Sequence, residues 1–263
     1  MNDVQKEAAE HEIDLDKAGV KGVRYPIVVL DKKNGYQCTV ATINMSVDLP
    51  RHFRGTHMSR FIEILNRHSR HMMLSNIDPI LAEMRDKLDA RSAHLEIAFP
   101  YFIEKTAPVS GQKSTMAYDC KFIASQGDED ELIVEVNVPV MSLCPCSKEI
   151  SDRGAHNQRG IVTVRVKAEG LVWIEDIIRL IEDAASSDVY ALLKREDEKY
   201  ITEKAYDNPR FAEDMVRQIA VELENMPRIT WFSVEAENYE SIHNHNAYAA
   251  VSRRVDRDSG KSE

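Results

Sequence analysis

Cys144 and Cys146 flank Pro145 in residues 142–160, SLCPCSKEISDRGAHNQRG, and His156 follows within a dozen positions. Thiolate and imidazole are the ligands that a borderline-soft divalent metal selects. A closed structural zinc site wants four ligands and usually a second Cys-x-x-Cys pair, which this chain lacks. Cys38 and Cys120 stand singly in alternating apolar segments and read as small buried core residues. An incomplete protein ligand set suits a catalytic metal, because water must occupy the open position. Two other readings stay open on residues alone. Cys146 can act as a metal-free nucleophile beside His156 or His243, or the Cys-Pro-Cys segment can be structural.

Further candidates lie downstream. Glu198, in KREDEKYITEK, and Glu213, in PRFAEDMVRQ, are carboxylates beside aromatic and apolar residues, and either alone reads as a solvated helix carboxylate. His243 and His245, in ESIHNHNAYA, form a His-x-His pair that can bind metal, cap a strand or transfer protons. In the first half, RHFRGTHMSRF gathers Arg51, Arg54, His57 and Arg60 at a strand-to-helix transition, either as a solvated face or as a basic patch for an anion.

These residues need a large scaffold, and 263 residues suffice for one large domain or two modules. A hydrophobic fraction of 43% and a charged fraction of 30% are ordinary for a globular protein. The formal net charge of -10 argues against a nucleic-acid partner, since a phosphate backbone calls for a basic face. No apolar run is long enough to span a bilayer and the N-terminus lacks a signal-peptide core, so the expected location is the cytoplasm, with reduced cysteines and no membrane partner.

Periodicity supplies the elements. Residues 1–20 are polar and charged, which predicts a flexible arm. YPIVVL and YQCTVATINMSVDL form a hairpin about Lys33, Asn34 and Gly35. Helical spacing follows in Phe61, Ile64, Leu65 and His68, with a second helix from Asn76 to Leu88, then strands over 93–104 and 114–124. The second half repeats the order. A strand over 131–143 enters a Cys-Pro-Cys turn and returns over 160–170. A helix carries Ile174, Ile177, Ile178 and Ile181, and a polar connection carries Glu198. A second helix is capped by Asn208 with Pro209 at its first position, and strands over 229–240 and 246–254 close the chain. The expected class is α+β, built from two ββααββ modules at 21–127 and 128–254, with a disordered tail at 255–263.

SLCPCSKEIS, GAHNQRG, LLKREDEKYITEKAYDNPRFAEDMVR, ESIHNHNAYA and RGTHMSRF together closely resemble type IB GTP cyclohydrolase I, from about Gly22 to Arg254. The resemblance implies a tunnelling fold with helices on one face of antiparallel sheets, a homotetramer with active sites between subunits, and conversion of GTP and water to 7,8-dihydroneopterin triphosphate and formate, on the way to tetrahydrofolate and queuosine. It implies Cys144, His156 and Glu198 as ligands of a divalent metal (manganese, zinc or iron), Glu213 as the guanine holder, and catalytic positions at Cys146 and His243. Lys148, Arg159, Arg60 and Arg54 are the candidate cations for the triphosphate. A thiol enzyme similar to the nitrile reductase of the same fold, and a non-catalytic assembly protein with a structural metal, are the alternatives.

Overall fold

The computed structural model describes residues 10–68, 76–128 and 130–255. Among them are nine strands and six helices: β1 (Leu15–Asp31), β2 (Gly35–Leu49), α1 (Met58–His68), α2 (Ile77–Leu88), β3 (Ala93–Thr106), β4 (Lys113–Gln126), β5 (Glu131–Leu143), α3 (Pro145–Ile150), β6 (Asn157–Ala168), α4 (Ile174–Ala184), β7 (Ser187–Asp188), α5 (Arg195–Asp207), α6 (Ala212–Asn225), β8 (Ile229–Asn238) and β9 (Ala247–Arg254). The strands form one large sheet in the order β1-β2-β3-β4-β5-β6-β8-β9, with β7 on β5. The pairs β1–β2, β2–β3, β5–β7, β6–β8 and β8–β9 are antiparallel. The chain is α+β, as its alternating strand and helix periods predict.

The chain folds as two compact units, Met1–Pro100 with Lys121–Val134, and Tyr101–Cys120 with Glu135–Glu263. The division cuts through β3, β4 and β5.

In the first unit the predicted hairpin forms. Asp31 accepts the amides of Lys33 and Asn34 at 2.9 and 2.6 Å, and Gly35 takes φ +84, which a side chain would disfavour. Its first strand starts earlier than the polar composition predicts, with Leu15 opposite Leu49 and Ala18 opposite Val47. Residues 15–20 are therefore strand and not arm. A sheet-edge strand tolerates polar side chains because little of it is buried. Residues 1–9 and the tail beyond Val255 lie outside the described residues, as do 69–75 after α1.

On β2 the inward positions are Thr39, Ala41, Ile43, Met45 and Val47. That parity turns Cys38 outward, so it is exposed and not the core residue its apolar setting suggests. Cys120 is buried as expected, and burial pushes its thiol well above the ordinary range. Phe61, Ile64 and Leu65 of α1 and Ile80, Leu81 and Met84 of α2 are buried, while His68 at the end of the α1 stripe pairs with Glu83 at 2.6 Å.

In the second unit, Ile174, Ile177, Ile178 and Ile181 of α4 and Met215, Val216, Ile219 and Leu223 of α6 fill the core with Val162, Val164 and Val166 of β6 and Phe232 and Val234 of β8. Three elements depart from expectation. The Cys-Pro-Cys segment is a short helix, α3, and not a turn, because Pro145 is suited to a first helical position. The supposed polar connection is α5, whose exposed face hides its helical period. Asn208 caps no helix start. It ends α5, and its Nδ2 donates to Ala185 O at 2.9 Å, while α6 begins after Phe211, whose amide donates to Asp214 at 3.2 Å.

A buried ionic cluster braces this unit. Lys105 Nζ lies 2.8 Å from Glu182 and 3.2 Å from Asp188, and also donates to Val189 O. Tyr118 donates to Glu182 at 2.8 Å. Burial holds Glu182 above the usual carboxylate range. At Asp188 burial acts the same way, but Lys105 and Lys204 outweigh it and hold the carboxyl below that range.

Candidate active site

The ends of α3, β6, α6, β8 and β9 in the second unit line one cleft beyond the C-terminal end of β5. The chain leaves β5 at Leu143, whose amide donates to Ser186 Oγ at 3.1 Å and whose carbonyl accepts from the Arg210 amide at 3.0 Å. Cys144 follows at the N-cap of α3, in extended backbone, with its Sγ accepting from the Ser147 amide at 3.4 Å and its amide donating to His156 O at 3.1 Å. The thiol and the imidazole are thus fixed to one another by backbone.

His156 is oriented further by its neighbours. Its amide donates to Ser147 Oγ at 3.2 Å, and its Nδ1 stands 3.0 Å from Gln158 Oε1 and 3.7 Å from Glu240 Oε2. Gln158 Nε2 donates to Ser142 Oγ at 3.0 Å and to Glu240 Oε1 at 3.4 Å. A nitrogen facing a carboxylate fixes the amide orientation, so Oε1 faces the ring and Nδ1 carries the proton. In the neutral ring Nε2 then keeps its lone pair.

These groups open onto a cleft of about 270 Å³. Cys144, His156, Gln158, Arg210, Glu213, Asn238, Glu240, His243 and His245 line it, with Phe211, Ala212 and Ala247. Glu213 arrives on the exposed first turn of α6. His243 and His245 stack with ring centroids 5.1 Å apart and an interplanar angle of 19°.

Five of the residues read from the sequence therefore meet: Cys144, His156, Glu213, His243 and His245. Cys146, in the first turn of α3, is exposed and does not line the cleft. Lys148 caps the Tyr206 ring at 4.3 Å and donates to Tyr206 O, which occupies its ammonium. Arg159 is exposed and outside the lining. Arg54 and Arg60 belong to the first unit, where Arg60 donates to Lys87 O at 2.7 Å.

Glu198 is exposed in the first turn of α5 and does not line the cleft. The residue before it explains the placement. Asp197 is fully buried and accepts from the amides of Val109 and Ser110, both at 2.9 Å, from Ser110 Oγ at 2.6 Å and from the Lys194 amide at 2.8 Å. Burial raises its pKa, but these hydrogen bonds outweigh burial and hold the carboxyl well below the usual range. Asp197 faces in, so its neighbour faces out.

The donors in the cleft fit a divalent metal in chemistry: sulfur from Cys144, a free imidazole nitrogen from His156, carboxylate oxygen from Glu240. Among the described residues, however, no group of three His, Cys, Asp or Glu side chains stands close enough to hold an ion, so the expected trio of Cys144, His156 and Glu198 is not assembled.

Sequence reasoning misses Gln158, Arg210, Asn238 and Glu240. Gln158, Arg210 and Glu240 sit within two or three residues of a candidate it does name and Asn238 five from His243, and only β6–β8 pairing and the fold of the 208–213 segment bring them to the cleft.

The family described as Type I GTP cyclohydrolase folE2 matches residues 1–249. GTP cyclohydrolase FolE2 of Geotalea uraniireducens (strain Rf4) is 60% identical over 253 residues, covering 96% of this chain and 93% of that protein. The protein of the same name from Kosmotoga olearia is 53% identical, covering 96% and 98%. Among solved structures, the uricase from Bacillus fastidious has a TM-score of 0.53 at 7% identity and covers 94% of each chain. Urate oxidase from Bacillus sp. TB-90 has a TM-score of 0.54 at 9% identity, covering 92% of this chain and 100% of that one. The structural likeness carries the fold alone, which is that of the uricase-like tunnelling proteins. The sequence match, by contrast, runs through all the segments that build the cleft, and the chain belongs to the type I GTP cyclohydrolase folE2 family.

Proposed function

We propose that this chain is a GTP cyclohydrolase I that converts GTP and water to 7,8-dihydroneopterin triphosphate and formate. The observation that carries the reading is the meeting of Cys144, His156, Glu213 and His243, drawn from four separate motifs, in one cleft of a chain from this family. The IB subtype rests on the motifs themselves, as does flow of the product toward tetrahydrofolate and queuosine.

Glu213 supplies two acceptor oxygens for the N1–H and 2-amino donors of guanine, a pair that adenine lacks. A bound divalent cation, whether manganese, zinc or iron, supplies Lewis acidity for activating water. Cys144 and His156 would hold it, with His156 presenting Nε2 because Gln158 and Glu240 face its Nδ1. By family motif Glu198 would be the third ligand.

The reaction adds water at C8, opens the imidazole ring, and adds a second water at the same carbon to release formate. Closure of the new ring onto the rearranged sugar returns one water. His243 is the proton carrier, since an imidazole can both donate and accept a proton and this one is exposed at the cleft. Cys146 stands two residues after Cys144 as a second thiol for proton transfer. Arg54, Arg60, Lys148 and Arg159 are the triphosphate cations of this proposal, in a cytoplasmic homotetramer whose subunits, each with two ββααββ modules, share active sites. No described helix is long and apolar enough to cross a membrane.

The test is incubation of the purified protein with GTP and each of manganese, zinc and iron, followed by oxidation and measurement of pterin fluorescence. Product with at least one metal is expected. Absence of product with all of them overturns the proposal.

A further inference from the structure

Asn238 closes β8 opposite Gly160 of β6 and is only 3% exposed. It lines the cleft beside Cys144, His156, Glu213 and Glu240. Its Oδ1 is buried and has no hydrogen-bond partner among the described residues. A Cβ on Gly160 would stand 2.4 Å from that oxygen, so the absence of a side chain at 160 is what lets the carboxamide occupy its position.

A buried acceptor without a donor is costly, and native structures seldom leave one. The donors nearest to Asn238 along the two strands are committed elsewhere. Gln158 Nε2 serves Ser142 and Glu240, the proton on His156 Nδ1 faces Gln158 and Glu240, and the Tyr239 amide donates to Arg159 O. The carboxylates of Glu213 and Glu240, also in the lining, are acceptors when ionised and offer nothing to a carbonyl oxygen. The side chains of Arg210, His243 and His245 share the lining but none of them bonds this oxygen, so a group entering the cleft can supply the donor.

We propose that Asn238 is a nucleotide-binding residue whose Oδ1 accepts a hydrogen bond from an N–H or O–H donor of bound GTP, an assignment that rests on the GTP reading above. Glu213 consumes N1–H and one of the two 2-amino hydrogens of guanine. The second 2-amino hydrogen and the two ribose hydroxyls are the donors left over, and Asn238 takes one of them. Asn238 thereby extends recognition beyond the edge that Glu213 reads.

The experiment measures equilibrium binding of GTP, inosine triphosphate, 2′-deoxy-GTP and 3′-deoxy-GTP to the full chain and to its Asn238→Ala and Asn238→Leu variants, with thermal melts to establish folding. Leucine keeps the branching and the number of heavy atoms and removes both polar atoms. The variants are expected to bind GTP about tenfold more weakly than the unaltered chain. One analogue, the one lacking the donor, is expected to bind variant and unaltered chain equally. If that analogue is inosine triphosphate, the donor is the 2-amino group, and if it is a deoxy analogue, the donor is the hydroxyl that analogue lacks.

The assignment is overturned if a folded variant binds GTP as tightly as the unaltered chain, or if the variants lose the same factor against all four nucleotides. It is also overturned, without recourse to any variant, if the unaltered chain binds all four equally. Failure of the unaltered chain to bind GTP at all would instead overturn the function proposed above, and Asn238's role with it.

Discussion

Gln158 Oε1 lies 3.0 Å from His156 Nδ1, and the other end of the same amide is tied to Ser142 and Glu240. One side chain thus sets which imidazole nitrogen keeps its lone pair. Gln158→Leu should leave fold and melting temperature near those of the parent while lowering affinity for manganese by about 10- to 100-fold, the usual effect of losing such an outer partner. Metal titration of the apoprotein checks this, and unchanged affinity would remove Gln158 from the site.

Glu213 is exposed at the first turn of α6, where it costs little to replace. Glu213→Ala should retain the fold and lose about 10- to 150-fold in GTP affinity, since hydrogen bonds to a charged group contribute about 1.5–3 kcal/mol. Competition by ATP, negligible for the parent, should approach that of GTP in the variant. Persistent preference for GTP would place base recognition elsewhere.

Cys144→Ala separates a catalytic metal from a structural one. Because Leu143 is held by Ser186 and Arg210 through backbone and hydroxyl groups that the change leaves intact, the variant should fold and assemble normally. Bound metal and pterin formation should both disappear. Unfolding, or loss of assembly measured by light scattering, would favour the structural reading.

Lys105 neutralises two carboxylates in a nearly dry setting, being 9% exposed at its side chain. Lys105→Met strands Glu182 and Asp188 and should destabilise by about 3–5 kcal/mol. In a chain of this size that lowers the melting temperature by roughly 6–20 °C. A loss below about 2 °C would mean that Tyr118 and Lys204 suffice.

Asp197 gives the pH dependence. Its folded pKa is held well below the unfolded value near 4, so its contribution is complete above about pH 4 and is lost as pH falls further toward the folded pKa. The parent should therefore melt at a nearly constant temperature from about pH 7 to 5 and lose stability below about pH 4. Asp197→Asn should melt lower at neutral pH and show a shallower acid limb. An equally steep acid limb in the variant would assign that dependence to other carboxylates.

Much of this architecture is legible in the chain. The hairpin about Asn34 and Gly35, the isoleucine stripe of α4 and the alternation of β5 are strong periodic signals, because in each the buried face is continuous. Where periodicity fails, the buried face is narrow or its parity ambiguous. α5 escapes it, and Asn208 goes to the wrong helix, because α5 buries only Asp197, Ile201 and Ala205. Cys38 is misplaced by one residue of strand parity. At the site, motifs name Cys144, His156, Glu213 and His243, whereas Gln158, Asn238 and Glu240 become visible only through the pairing of β6 with β8, a long-range register that no local pattern encodes.

Asn208 joins pieces that would otherwise be separable. It ends α5, holds Ala185 O, and accepts from Arg210 Nε at 3.1 Å, while the Arg210 amide grips the residue before Cys144. For anyone transplanting residues 208–213 from a relative to change base preference, this is a shared hinge pin and not a detachable cassette. The graft would shift the cysteine as well as the guanine holder, so specificity and turnover should move together in any such chimera.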